Sequence, residues 1–169
     1  MFVSGREEVG FSLGAGPGYA ILGSQVAHDM AFATLRYGKV MTDVLEEGSW
    51  RAGNLEFIAE VFAGGQWYPD NDYIVGAIPL LRYNFTTGSR VVPFFDAGAG
   101  VTLTDIGEPD LGGIFQFNLQ AGIGTHIFLN QNTALTLQCR FIHLSNAGLR
   151  IPNGGADATV FSAGVSWFF

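Results

Sequence analysis

The stretch Phe115-Gln-Phe-Asn-Leu-Gln-Ala-Gly-Ile-Gly-Thr-His-Ile-Phe-Leu129 alternates between apolar and polar or small residues. Apolar side chains occupy the odd-numbered positions apart from Thr125, and the even-numbered positions up to 126 hold Gln, Asn, Gly and His. Successive side chains of a β-strand point to opposite faces, so this pattern predicts a strand with one apolar face and one polar face. Such alternation is typical of strands in transmembrane barrels, which turn the apolar face to lipid and the polar face to the lumen.

The same alternation recurs along the chain and gives eight segments: 7–18, 26–39, 54–66, 72–85, 91–103, 114–129, 132–145 and 157–169. Each is near or above the roughly 9–11 residues that a tilted strand needs to span a bilayer. Charged residues make up only 14% of the chain, against about 25% in typical soluble domains. We therefore predict one all-β domain over 1–169, an eight-stranded antiparallel transmembrane β-barrel with both termini in the periplasm.

A soluble barrel is the alternative, because alternation alone does not tell the inside from the outside. Three features favour the membrane. The polar face is poor in Lys, aromatic residues gather at strand ends as a girdle would, and the last segment ends in Trp167, Phe168 and Phe169, which resembles the C-terminal signal of bacterial outer-membrane barrels. We therefore expect a protein of the bacterial outer membrane. Since no signal peptide follows Met1, we expect a mature exported chain with an added Met1.

Charged residues on the polar faces are expected to pair inside the barrel. An eight-stranded lumen is just filled by side chains and forms no wide pore, and buried charges persist only when paired. We predict contacts of acidic with basic residues in the lumen, the two sets being Glu56, Glu60 and Asp96, and Arg36, Arg82 and Arg140.

Charge and cysteine usage exclude several functions. The net charge of -7 argues against nucleic acid as a partner, since nucleic-acid binding needs a basic surface. The single Cys139 excludes an internal disulfide, and no CxxC or HExxH motif supports a metal site. We expect neither a metal nor another cofactor.

One polar cluster falls on the apolar face. His143 and Ser145 continue the odd-numbered set of segment 132–145, and Asp157 shares parity with the apolar residues of segment 157–169. With both termini periplasmic, these three residues lie at the outer surface. A base, a hydroxyl and a carboxylate are the elements of a serine esterase. Because the cluster faces the membrane, its substrate would be a lipid ester.

The region 139–157 resembles the active site of the PagL family, lipid A 3-O-deacylases of Gram-negative outer membranes. The family pattern His-x-Ser-Asn-Ala-Gly, then Pro-Asn, then an acidic residue, reads here His143, Ser145, Asn146, Ala147, Gly148, Pro152, Asn153 and Asp157. The stretch from Val92 to Gly100 resembles the fifth strand of the family.

The resemblance implies an esterase that acts on the 3-O-linked acyl chain of lipid A without a cofactor. It implies Ser145 as nucleophile, His143 as general base and Asp157 as the third member, with Asn146, Gly148 and Asn153 binding the oxyanion or substrate. The best-known members carry Glu in place of Asp157, so contact with His143 depends on the backbone at the start of the last strand. Lipopolysaccharide and outer-membrane lipids are the expected partners, and the sequence leaves the oligomeric state, a homodimer included, open.

Two further functions stay open at this stage. A non-catalytic barrel of the same fold would have a structural or adhesive role. An acyltransferase barrel would use a comparable site, but it needs an interior pocket for an acyl chain.

Overall fold

The computed structural model describes residues 3–169; the expected added Met1 lies outside them. Within this range the chain forms nine strands: β1 Glu7–Gly16, β2 Gly18–Tyr19, β3 Asp29–Val40, β4 Gly53–Tyr68, β5 Asp72–Phe85, β6 Val91–Thr104, β7 Phe115–Phe128, β8 Thr133–Ser145 and β9 Ala156–Phe168. No helix long and apolar enough to cross a membrane is present in this range.

The sheet closes on itself. Each long strand pairs antiparallel with the next, and β1 also pairs with β9, so the eight long strands form a closed barrel. The predicted eight-stranded antiparallel barrel and its eight segments are confirmed, and the periplasmic position of both termini stays a prediction. The two-residue β2 was not predicted: it follows Pro17 and extends the β1 edge along the beginning of β9.

Burial separates the two faces of every long strand, with even-numbered residues turned inward. The outer wall carries large exposed apolar side chains that include Phe11, Leu35, Phe57, Val61, Leu81, Phe95, Leu119, Ile123 and Phe161. A soluble barrel would bury its apolar face and expose its polar one. The observed arrangement is the opposite and matches a barrel surrounded by lipid.

Ion pairs in the lumen bind opposite strands together. Arg82 is fully buried; its Nη1 lies 3.1 Å from Oε2 of Glu8 and its Nη2 lies 3.0 Å from Oδ2 of Asp96. Arg140 contacts Asp96 at 3.1 Å, and Glu60 receives hydrogen bonds from both Arg140 and Arg36.

The predicted pairing of the lumen charges is therefore confirmed. The sequence prediction had not included Glu8, whose Oε1 also accepts a hydrogen bond from the hydroxyl of Ser166. The remaining cavity in this part of the lumen measures about 30 Å³, room for a water molecule or two and far too small for an acyl chain.

The two ends of the barrel differ. Both described chain ends lie at one end, here called the terminal end, together with the connections 41–52, 86–90 and 129–132. The opposite end, here called the site end because β8 finishes there at Ser145, carries the connections 20–28, 69–71, 105–114 and 146–155.

Asp110 joins three of the site-end loops. Its buried carboxylate accepts hydrogen bonds from the backbone N–H groups of Gln25 at 2.6 Å and Val26 at 3.0 Å, and it contacts Nε2 of His28 at 3.0 Å. Its backbone carbonyl accepts from the N–H of Gly154 at 2.7 Å. Loop 105–114 therefore fixes loop 20–28 through a side chain and loop 146–155 through the backbone.

These contacts set the ionisation of Asp110. Burial alone would raise the pKa of its carboxyl, but the hydrogen bonds from Gln25, His28, Val26 and Ser24 hold that pKa below its ordinary value. A carboxyl with a lowered pKa in the folded state stabilises that state in its ionised form. The site-end network is therefore strongest when Asp110 is charged.

We predict that Arg82→Met destabilises the barrel by about 3–5 kcal/mol, because it leaves buried carboxylates facing each other without this cation. Urea unfolding of the protein refolded into lipid vesicles, followed by tryptophan fluorescence, measures the change. Lys39→Met is the matched control: it removes an exposed pair with Glu7 that contributes less than about 1 kcal/mol. Equal unfolding midpoints for the two variants would contradict the role of the lumen network.

We also predict that loop 146–155 loosens in acid. The contribution of Asp110 is fully present above its unfolded pKa of about 3.9 and is lost as pH falls through its lower folded pKa. As pH falls through this range, the protection of the Gly154 amide against hydrogen exchange in the wild-type protein should therefore decrease toward that in Asp110→Asn. Comparing the two proteins at the same pH removes the pH dependence of the intrinsic exchange rate. Asp70→Asn, an exposed carboxylate at the same end, should behave as wild type. A protection ratio that does not change with pH would refute the prediction.

Candidate active site

The three residues predicted to act together lie on the outer wall at the site end. His143 and Ser145 are the last two outward-facing residues of β8, and both are partly exposed. His143 pairs in register with Asp157 of β9 on one side and with Leu119 of β7 on the other. Cross-strand neighbours on one face have Cβ atoms about 4.5–5.5 Å apart, so the register places the imidazole beside the carboxylate.

His143 and Asp157 are in direct contact. Nδ1 of His143 lies 2.7 Å from Oδ1 of Asp157, whose side chain is fully buried while that of His143 is 19% exposed. The shorter Asp therefore reaches the imidazole, because the two residues are direct cross-strand partners. When Nδ1 donates its proton to the carboxylate, Nε2 of a neutral imidazole is left as an acceptor, which is the form of a general base.

The contact with His143 is the one hydrogen bond of the Asp157 carboxylate among residues 3–169. Its other oxygen, Oδ2, is buried and has no hydrogen-bond partner among residues 3–169. A carboxylate buried with one oxygen unpartnered is costly for a fold. The cost is understandable where the charge serves to hold the imidazole.

Ser145 lies on the same face as His143, but the two side chains are not hydrogen-bonded to each other. It pairs with Phe117 of β7 as the last residue of β8, and within residues 3–169 its hydroxyl forms no hydrogen bond with His143 or another group. Positions i and i+2 of a strand are about 6.6 Å apart along the strand. Nucleophile–base contacts are often looser in an unliganded site than in the substrate complex.

Asn146 organises the loop that follows. Its Nδ2 donates to the carbonyls of Gly112 at 3.0 Å and Pro152 at 3.1 Å, and its Oδ1 accepts from the N–H groups of Gly148 at 3.0 Å and Arg150 at 3.3 Å. The two donors that the sequence assigned to an oxyanion site, Asn146 and the Gly148 N–H, are thus engaged in holding the loop.

Two donors near Ser145 remain without a partner within residues 3–169. Asn153 accepts the N–H of Asn146 at 2.7 Å through Oδ1, so its Nδ2 is uncommitted, and the residue is exposed. The N–H of Ala147 also lacks a partner there, and Ala147 adopts a left-handed conformation with φ of 54°, uncommon for a residue with a Cβ. Such strain often accompanies functional sites.

Gly155 is a site residue that the sequence analysis missed. It has φ of +93°, and a Cβ at this position would lie 2.9 Å from Cε1 of His143. The backbone of loop 146–155 therefore packs directly against the imidazole. The adjacent glycines before Asp157 were the only sequence signal, and they resemble an ordinary turn.

Next to the site, the outer wall continues as the outward-facing Leu119 and Phe141. An apolar recess lies further along the wall toward the terminal end and is lined by Phe95, Ile123, Leu137, Cys139 and Phe161. Cys139 is a free thiol on the outer face. No group of three or more metal-ligating side chains occurs among the described residues 3–169.

The sequence matches known proteins of one family. The family model described as "Lipid A 3-O-deacylase (PagL)" matches residues 33–166. The chain is 32% identical over 118 residues to "Lipid A deacylase PagL" of Bordetella bronchiseptica, a match that covers 65% of this chain and 61% of that protein. It is 35% identical over 83 residues to "Lipid A deacylase PagL" of Pseudomonas aeruginosa, covering 47% of this chain and 45% of that protein.

These matches span less than two thirds of the length of either relative. Among solved structures, "Crystal structure of the outer membrane enzyme PagL" superposes with a TM-score of 0.63 at 22% identity, over 93% of this chain and 97% of that one. The superposition shows that the two proteins share the fold of an outer-membrane barrel. Because the family model covers most of the barrel, the chain belongs to the PagL family.

Proposed function

We propose that the chain is an esterase of the bacterial outer membrane that hydrolyses the 3-O-linked acyl chain of lipid A. The observation that carries the proposal is the hydrogen bond between His143 and Asp157 on the lipid-facing wall, two positions from Ser145 on the same face. The named activity of the PagL relatives supports the same reaction.

The orientation of the barrel in the membrane determines which lipid can reach the site. In the proposal both termini are periplasmic, so the site end lies at the outer surface and the triad lies at the depth of the outer leaflet. Lipopolysaccharide is the lipid of that leaflet. The outward-facing Leu119, Phe141 and Ala121, which follow the site along β7 and β8, offer an apolar surface on which the acyl chain can lie while its ester reaches Ser145.

The chemistry follows from the roles of the three side chains. Nε2 of His143 takes the proton of the Ser145 hydroxyl as its oxygen attacks the ester carbonyl, and Asp157 stabilises the imidazolium that forms. The alkoxide of the sugar leaves with the proton from His143. Lipid A thereby leaves with one acyl chain fewer. Water then attacks the acyl-serine carbonyl while His143 takes a proton from it; the bond to Ser145 Oγ breaks, the proton returns to that oxygen, and a 3-hydroxy fatty acid is released.

The developing oxyanion needs donors that are free when the substrate arrives. In the proposal, the N–H of Ala147 and Nδ2 of Asn153 supply them. Asn146 and Gly148 contribute by fixing the loop that presents these donors.

An acyltransferase is disfavoured by a specific observation. Such a barrel would hold the acyl chain in its interior, whereas the lumen here is filled by the ion pairs around Arg82, Arg140 and Glu60. A hydrolase that takes the acyl chain on the outer wall needs no interior space.

We predict that Ser145→Ala and His143→Ala each lower deacylation by about a thousandfold or more, since members of a triad act as a unit. Asp157→Asn should reduce the rate by a smaller factor, because the amide no longer stabilises the imidazolium. The refolded protein is incubated with lipopolysaccharide, and loss of one 3-hydroxyacyl group from lipid A is followed by mass spectrometry.

Ser89→Ala, in an exposed turn at the terminal end, is the control and should keep the wild-type rate. Full activity of Ser145→Ala would refute the nucleophile. Lipid A left intact by the wild-type protein in several detergents and at several pH values would instead support a non-catalytic barrel.

We also predict that Gly155→Ala lowers kcat/KM by about tenfold to a hundredfold while the barrel still folds. The added Cβ would lie 2.9 Å from the imidazole of His143 and displace the base, and small displacements of a catalytic group have effects of this size. Gly88→Ala is the matched control, because Gly88 also has a positive φ, +69°, and has no atom within 4 Å of an added Cβ. Equal losses in both variants would assign the effect to backbone strain alone.

A further inference from the structure

The basic residues of the chain are distributed very unevenly. Of the eight Lys and Arg residues in the sequence, three lie buried in the lumen. Four others lie at or near the terminal end: Arg6, Lys39, Arg51 and Arg90. The eighth, Arg150, is in loop 146–155. It is therefore the single Lys or Arg at the site end, and it belongs to the loop that connects Ser145 to Asp157.

Arg150 is held in place by its backbone and has a free head group. Its N–H donates to Oδ1 of Asn146, the residue next to Ser145, at 3.3 Å. Its Cγ lies over Gly113, where an added Cβ would be 3.3 Å away. The residue is exposed, and its guanidinium forms no ion pair or hydrogen bond within residues 3–169.

The carboxylates at the same end do not neutralise Arg150. Asp110 contacts His28, the carboxylate of Asp105 accepts the N–H of Tyr73, and Asp29 accepts the N–H of Gly18. The other acidic residues of this end are Asp70, Asp72, Glu108 and Asp157. Seven acidic residues thus lie at the site end, and Arg150 is the one Lys or Arg that an anionic head group would meet there.

Resting on the proposed function, we infer that Arg150 binds a phosphate group of the lipid A head group and so directs the substrate ester to Ser145. Lipid A carries phosphate monoesters on the same sugar backbone that bears its acyl esters. A guanidinium matches the geometry of a phosphate and can bind it through two parallel hydrogen bonds. The acidic residues elsewhere at the site end disfavour other orientations of the same head group.

The test compares two forms of one substrate, lipid A and the same lipid A after its phosphates have been removed. Wild-type protein should show a kcat/KM about tenfold higher on the phosphorylated form, the size expected for one charge-assisted hydrogen bond. Arg150→Gln should abolish this preference and leave the rate on the dephosphorylated form unchanged. Arg150→Lys should keep part of it, and Arg90→Gln, an exposed arginine at the terminal end, should keep all of it.

Two further measurements separate the possible failures. If wild type hydrolyses both forms and Arg150→Gln keeps the preference, the role of Arg150 is refuted while the esterase stands. If wild type hydrolyses neither form, the proposed function fails, and binding of the Ser145→Ala protein to vesicles containing each lipid still tests Arg150 without catalysis. Inorganic phosphate at millimolar concentration should leave the preference intact; its loss would show a site for free phosphate and overturn recognition of the head group.

Discussion

Closure of the sheet by the pairing of β1 with β9 is the constraint on which the rest of the structure depends. A strand that crosses a bilayer must find a partner for every backbone N–H and C=O, and only a closed barrel leaves no edge unpaired. Closure also fixes parity: even-numbered side chains point inward and odd-numbered side chains point outward around the whole ring. The role of each residue of the barrel wall then follows from the side of the wall that it occupies.

On the inner side, parity brings acidic and basic residues from distant strands into a narrow space. Arg82 on β5 meets Glu8 on β1 and Asp96 on β6, and the contacts continue through Arg140 to Glu60. Such a filled lumen leaves no room for a substrate. In the proposed reaction the lipid is therefore bound on the outer wall, where the strand ends meet the loops.

Properties that depend on local alternation could be predicted from the sequence. They include the eight segments, the pairing of Glu56, Glu60 and Asp96 with arginines, and the outward direction of His143 and Ser145. Contacts between loops could not be predicted, because no short-range pattern relates residues so far apart in the chain. Asp110 lies more than forty residues from Gly154 along the sequence, and Asn146 contacts Gly112 across 34 residues.

The location of the site resolves a conflict between solvation and substrate access. A carboxylate and an imidazole such as Asp157 and His143 in the middle of the lipid-facing wall would be expensive, whereas a soluble site would require the acyl chain to leave the membrane. At the last residues of β8 the carboxylate is shielded by its cross-strand partners and the imidazole by Gly155, and the adjoining outer wall is apolar, with Leu119 and Phe141 next to the site. In the proposed reaction the acyl chain therefore stays in lipid, the head group stays among the loops, and only the ester between them has to reach Ser145. The loop contacts centred on Asp110 hold the loops of the site end in place, and these loops keep the polar part of the site next to a wall that lipid would otherwise cover.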